Sequence, residues 1–332
     1  MSPSGTTEVA PFQNKCIRTL TEVLLFQNWL RRELQRAPDG LRARRPLGWP
    51  HRAMTLVRDR CTAQLEAFFL SPEPSQHSTT LRTVLVAAHP DDETIGAGGL
   101  LSRRKNFKVV HATDGSPLNP SDALAAGCST RESYAEIRRK EAVNALAGVG
   151  IGEDGITNLH FTDQRTSFHL KELSELLLAV VERLRPEIVL THAYEGGHPD
   201  HDSVAFACHM AQRICRPEVR FQLCEFTGYH AGEGGMEVYR FLPDEAHEQY
   251  IYRLSGEERE LKIGMISKFT TQGRTLQPFS SPEVERFRVA PDYDFTRPPH
   301  EGKLWYENFN WGVDGMAWRK MASQTLREIF HP

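Results

Sequence analysis

Apolar and polar positions divide the chain into an Arg-rich helical start and a longer region of alternating strands and helices. Residues 14–37, rich in Leu and Arg, read as a helix ended by Ala37-Pro38-Asp39-Gly40. After an Arg/Pro/Gly connector at 41–50, residues 51–70 read as a second helix, and Ser71-Pro72-Glu73-Pro74 breaks the chain. A boundary is expected near residue 80, with residues 1–80 a helical extension and 81–332 the main domain.

Past that boundary the rhythm changes. The run Thr83 to Ala88 (TVLVAA) is apolar and partly β-branched, as suits a strand buried on both faces. Further strands are expected at Phe107–Ala112, Asn158–Phe161, Glu187–Thr191 and Val219–Phe226. Helices are expected at Thr94–Arg104, Thr130–Ala147, Leu170–Leu184 and Asp200–Ile214, and a long Gly/Pro/Ser-rich loop at 114–128. Strands alternating with helices predict an α/β fold with a mostly parallel sheet. From residue 228 the pattern is less regular, with helices expected at 256–269 and 312–330.

Composition narrows the function classes. The 332 residues are 39% hydrophobic and 25% charged, with a net charge of −3, so no global basic excess suggests nucleic acid. The balance is uneven, since Lys and Arg outnumber Asp and Glu by 11 to 7 over the first 80 residues. The six cysteines (Cys16, Cys61, Cys128, Cys208, Cys215 and Cys224) form no C-x-x-C pair and no disulfide spacing, which predicts a reduced, cytoplasmic protein. No signal-peptide pattern opens the chain. The longest apolar runs, such as Leu176 to Val181, fall far short of the roughly 20 residues of a membrane span.

Two motifs carry candidate chemistry. Ala88-His89-Pro90-Asp91-Asp92-Glu93 follows the first strand, and His198-Pro199-Asp200-His201 follows the strand EIVLT after a short Gly-rich loop. Either alone could be a turn in which an Asp caps the next helix. Both together, at the carboxyl ends of two parallel strands, fall on the edge where open α/β sheets bind ligands. A catalytic zinc takes three protein ligands and keeps one position open, and His and Asp are suitable donors. The supply of His89, Asp91, Asp92, His198, Asp200 and His201 leaves residues over to serve as base, acid or orienting group, a division that suits metal-assisted amide hydrolysis.

A-H-P-D-D-E followed about 110 residues later by H-P-D-H resembles the PIG-L/LmbE family of zinc-dependent N-deacetylases, over about Thr83 to Phe226. The resemblance implies a Rossmann-like sheet flanked by helices and hydrolysis of an N-acetyl group from an N-acetylglucosamine-type sugar or its conjugate. It implies His89, Asp92 and His201 as ligands of Zn2+, with Fe2+ or another divalent ion as a substitute. It assigns Asp91 as general base, His198 as oxyanion stabiliser or acid, Asp200 as the group orienting His198, and Glu93 as a hydrogen-bond anchor. Softer matches make Arg138, in R-x-x-E with Glu141, and Asp163 candidate substrate contacts. Tyr194 is a candidate to close over the substrate, although it lies further from H-P-D-H than the family's tyrosines. His192 and His111 read as core or supporting histidines, and Gly96-x-Gly98-Gly99 lacks the spacing of a dinucleotide fingerprint.

The N-terminal extension departs from the family pattern. Its helices are expected to dock through residues such as Leu20, Leu24, Trp29 and Leu30, with pairing to another subunit or contact with an anionic surface left open. The expected partner is a small amino sugar, with no nucleic acid and no membrane span. Competing readings are an amidase acting on a thiol–sugar conjugate, a non-catalytic metal-bound carbohydrate-binding protein and, less favoured, a nucleotide-binding module.

Overall fold

A computed structural model of the chain describes residues 62–72 and 81–330. The expected helix at 14–37, with Leu20, Leu24, Trp29 and Leu30, lies outside the described residues. Residues 62–70 are helical and form α1.

The main sheet has seven strands. β1 (Thr83–Ala87), β2 (Phe107–Pro117), β3 (Ile156–Asp163), β4 (Ile188–His192) and β5 (Gln222–Phe226) are parallel. β8 (Gln249–Arg253) and β9 (Val284–Val289) extend one side antiparallel, giving the order β3-β2-β1-β4-β5-β9-β8. A separate two-stranded ribbon joins β6 (Tyr229–Gly232) to β7 (Gly235–Val238). β1 and β4 are neighbours from which the chain runs outward in opposite directions, so a crevice opens at their carboxyl ends.

Helices cover both faces. α2 (Asp92–Arg103), α3 (Ser121–Ala125), α4 (Arg131–Ala147), α5 (Leu170–Leu184), α6 (Pro199–Ile214), α7 (Gly256–Ile266) and α8 (Gly315–Phe330) follow in chain order. α2, α4 and α7 pack together on one face. α5, α6 and α8 cover the other, around Phe206, Phe295 and Trp318. The expected parallel sheet is thus present, and β2 runs on to Pro117 into what was expected to be loop. β8 and β9 are additions that sequence reasoning did not foresee. No helix among the described residues is long and apolar enough to cross a membrane.

The end of the expected extension is built into this core. Leu65, Phe68 and Phe69 are buried with residues of β1, β2 and β9. The Phe69 ring stacks on Phe287 at 4.6 Å and on Tyr250 at 5.2 Å. A helix end leaves carbonyls without intrahelical partners, and α2 satisfies those of α1. Arg104 donates to the carbonyls of Ala67, Phe68 and Ser71, and Arg103 to those of Phe69 and Ser71. The sheet's packing therefore continues across the expected boundary near residue 80.

α2 is interrupted at Ala97 (φ −143°, ψ 17°), and the amides of Gly99 and Leu100 donate to the Glu285 carboxylate of β9. Glu285 is neutralised by Lys262 of α7 at 2.7 Å, both side chains fully buried. Gly96 lies so close to Phe226 that a Cβ there would fall 2.1 Å from the ring. The glycines of this helix serve close packing, which accounts for the absent dinucleotide spacing.

Truncating Phe69 to Ala should cost about 3–5 kcal/mol, the usual range for a buried phenylalanine. Equilibrium denaturation would check this; a change below about 1 kcal/mol, as at surface positions, would show that α1 only rests on the domain.

Candidate metal centre and catalytic cluster

The two motifs start helices from adjacent strands. β1 leads into α2, whose first residues are Asp92 and Glu93, and β4 leads through residues 193–197 into α6, with Pro199 at its first turn. The Asp202 carboxylate accepts from the amides of Glu195 and Gly196 and fixes the approach to α6.

Asp91 holds a backbone conformation that L-residues rarely adopt, φ 150° and ψ −27°. Its amide donates to Glu93 Oε2, and its carbonyl accepts from the amides of Thr94 and Ile95. Glu93 is in turn bound by His111 Nε2 at 3.0 Å and by the Thr94 hydroxyl. The Asp91 side chain makes no helix-capping hydrogen bond, so the capping explanation of this motif does not hold. Its carboxylate instead meets Arg138 Nη2 at 3.0 Å, and the same nitrogen donates to the Pro90 carbonyl. Burial pushes the Asp91 carboxyl up to about 7 against the downward pull of Arg138.

Among the described residues, three overlapping groups of buried or half-buried side chains bring ligand atoms within 4.8 Å of one another. They are His89, His198 and His201; His89, Asp163, His198 and Asp200; and Asp92, His192 and His201. The expected trio of His89, Asp92 and His201 is distributed over these groups and meets at Asp92. One Asp92 oxygen lies 3.1 Å from His89 Nδ1, and the other 3.2 Å from His201 Nε2.

Hydrogen bonding sorts the four imidazoles, because a neutral ring has one donor and one acceptor nitrogen. His198 Nδ1 accepts from the Asp200 amide at 3.1 Å, so its proton sits on Nε2. His192 Nε2 accepts from the Ala88 amide at 3.0 Å, which commits its free lone pair. His89 Nε2 faces Asp200 at 3.2 Å and Asp163 at 3.1 Å and is held as a donor, leaving Nδ1 towards Asp92. His201 Nε2 is buried and makes no hydrogen bond.

Charge compensation is dense. Burial lowers the His89 pKa, but Asp163 and Asp92 outweigh it and hold the imidazolium well above its usual range. Burial alone would raise Asp92, yet His201, His192 and His89 bring it well below the usual carboxylate range. Burial, reinforced by His89, keeps His198 neutral and well below the ordinary histidine value. Burial, helped by His201, moves His192 down to about 4.

Several expected roles change. Asp200 does not orient His198 through its carboxylate, which accepts from the Gln164 amide, the Thr166 amide and hydroxyl, and His89. Its backbone amide bonds His198 Nδ1, while its carboxylate lies 3.9 Å from that nitrogen, beyond hydrogen-bond distance. Arg138 is buried beneath Asp91 and braces that carboxylate rather than facing the opening. Asp163 sits against His89, with Oδ1 4.0 Å from His198 Nε2, inside the cluster. Tyr194 is buried between Trp318, Phe295 and Tyr293, and its hydroxyl donates to the Arg297 carbonyl; it packs the core and does not close the site. His111 bonds Glu93, and His192 stacks on His201 at 4.0 Å and belongs to one of the three groups above. Sequence reasoning missed Tyr229 and Trp311, whose rings lie 5.2 Å from His201 and 4.5 Å from His198. Neither has a local motif to announce it.

Comparison with known proteins bears on family and fold. Residues 84–211 match the family model described as PIG-L: GlcNAc-PI de-N-acetylase. The chain is 29% identical, over 39% of its length, to a 1D-myo-inositol 2-acetamido-2-deoxy-alpha-D-glucopyranoside deacetylase of Catenulispora acidiphila. It is 30% identical, over 36% of its length, to a probable N-acetyl-alpha-D-glucosaminyl L-malate deacetylase of Bacillus subtilis. The matches span about half of these relatives, 47% and 55% of their respective lengths. The fold is similar to that of N,N'-diacetylchitobiose deacetylase from Pyrococcus horikoshii, with a TM-score of 0.51 and 18% identity over 78% of this chain and 99% of that one.

Replacing Arg138 with Ala should destabilise the protein by about 3–5 kcal/mol, because breaking a buried pair leaves the partner charge uncompensated. The double variant Arg138→Ala/Asp91→Ala should lose less than the two single losses added together. Strict additivity in a denaturation cycle would show that the pair is not coupled.

Proposed function

From the match of residues 84–211 to the PIG-L family model, we propose that the protein is a metal-dependent N-deacetylase that frees the amine of an N-acetylglucosamine-type sugar or its conjugate. One observation carries the reading. His89 Nδ1 and His201 Nε2 face the two oxygens of a single carboxylate, Asp92, and His201 Nε2 is buried without a hydrogen bond.

Those three side chains would hold the metal. Two imidazoles and a carboxylate suit zinc, and also iron(II). The buried, unpartnered His201 Nε2 is the donor such an ion requires, and the carboxylates facing His89 Nε2 supply the second hydrogen bond common to metal-binding histidines. When bound, the ion would polarise the amide carbonyl and make the attacking water more acidic.

The remaining residues supply proton handling. Asp91, braced by Arg138 and free of capping duty, takes the proton of the attacking water. His198 presents Nε2–H as a neutral donor to the oxyanion that develops as the carbonyl carbon becomes tetrahedral. The proton held by Asp91 then goes to the departing nitrogen, the C–N bond breaks, and acetate and a free amine result. Asp200 and Asp163 hold His89 in the required tautomer.

Acetate release should be seen with some member of a panel of free, phosphorylated, nucleotide-linked and lipid-linked N-acetyl sugars, be lost with a chelator and return with zinc. Asp92→Ala and His201→Ala should lose the ion. Asp91→Ala should keep it while turnover falls about 10²–10⁴-fold, the value of general base catalysis. Metal analysis and an amine-release assay check both points. An inert panel, with the ion bound, would move the reading to another amide or to a binding protein.

Replacing Asp200 with Asn should weaken metal affinity about 10–100-fold, as for other groups that orient a ligating histidine. Competition with a zinc indicator measures this, and unchanged affinity would remove Asp200 from that role.

A further inference from the structure

Tyr229 opens β6, beyond the segment that matches the family model. Its ring meets His201 edge-on at 5.2 Å, and the His198 ring lies at the same distance from His201. Phe279 is packed against Tyr229 at 6.1 Å. With His192, Glu195, Gly197 and His201, Tyr229 lines a small cavity beside the cluster.

The backbone that carries Tyr229 is pinned to the approach of the second motif. A Cβ on Gly197 would fall 1.9 Å from the Tyr229 carbonyl oxygen, so only glycine permits this contact. The ring is therefore placed jointly by the loop before H-P-D-H and by the strand that follows β5. The hydroxyl, by contrast, has no hydrogen-bond partner among the described residues. A phenol both donates and accepts, so a hydroxyl with no protein partner has a donor to offer a ligand.

On the deacetylase reading, we propose that the Tyr229 hydroxyl is a second hydrogen-bond donor to the acyl oxygen, completing with His198 Nε2–H a two-donor site around His201. The substrate carbonyl enters with its oxygen between these donors. As water adds and the carbonyl carbon becomes tetrahedral, the negative charge grows on the oxygen that both donors face. Tyr229 keeps its proton throughout, and no bond to it forms or breaks. Because the donor comes from outside the matched segment, this part of the reaction site belongs to the chain's own C-terminal half.

Tyr229→Phe tests this, since it keeps the ring against His201 and Phe279 and removes only the hydroxyl. The wild type and the variant are compared on the same acetylated sugar, together with metal content, thermal midpoint and calorimetric affinity for a phosphonamidate mimic of the tetrahedral adduct. The expected result is a kcat lower by about 10²-fold or more, the cost of losing one oxyanion donor. KM, metal content and midpoint should stay the same, and the mimic should bind at least 10-fold more weakly. An unchanged kcat overturns the proposal, as does a rise in KM alone or a loss of the metal. An active wild type with an indifferent variant refutes only the role of Tyr229. A wild type inactive on every N-acyl sugar refutes the deacetylase reading, and this role with it.

Discussion

Burying carboxylates together is the constraint around which the site is arranged. Asp91, Asp92, Glu93 and Asp200 are each at most 6% exposed, and all lie at the ends of two adjacent strands. Unscreened, such a set would take up protons or force the pocket open. Their partner sets differ: Arg138 for Asp91, His89 and His201 for Asp92, His111 for Glu93, and backbone amides with a hydroxyl and the other side of His89 for Asp200. The matching also distributes the chemistry. A carboxylate facing a lone guanidinium remains able to accept a proton, whereas one facing two imidazoles remains an anion.

The unusual backbone of Asp91 belongs to the same arrangement. Successive carboxylates at 91, 92 and 93 must reach three different partners within one turn of chain, and regular helix or strand would not direct them so. Glu93 folds back on the Asp91 amide, and Arg138 holds both the Pro90 carbonyl and the Asp91 side chain. The strain is thus confined by bonds on both sides of the residue.

The strand-end motifs and the parallel core were legible in the sequence because both depend on short-range pattern. TVLVAA and EIVLT are apolar enough to be buried on both faces, and the His/Asp group follows the first at once and the second after a short Gly-containing loop. β8 and β9 were not legible: QYIYR is a short run of three apolar residues between polar ends, and VERFRV is half charged, in a region without helical spacing to frame them. Glu285 and Arg288 of β9 find buried partners on α7 and β5, pairings that no local window contains. Tyr194 misled because nearness to H-P-D-H along the chain does not say which way a side chain turns, and here it turns towards α8. Arg138 stood in a visible motif, but its partner 47 residues earlier was known only once the fold brought them together.

α2 joins two regions that the sequence suggested were separable. Its first turn bears Asp92 and Glu93, and its last residues grip the end of α1 through Arg103 and Arg104. In evolutionary terms, residues 62–70 are not an interchangeable module appended to an ancestral enzyme. A lineage that lost or replaced them would strip Arg104, and one nitrogen of Arg103, of the carbonyls they bond, at one end of the helix that carries the reactive carboxylates at the other. Drift in that short segment is therefore answerable to the same selection as the pocket, and compensating changes should accumulate on α2 before they appear in either motif.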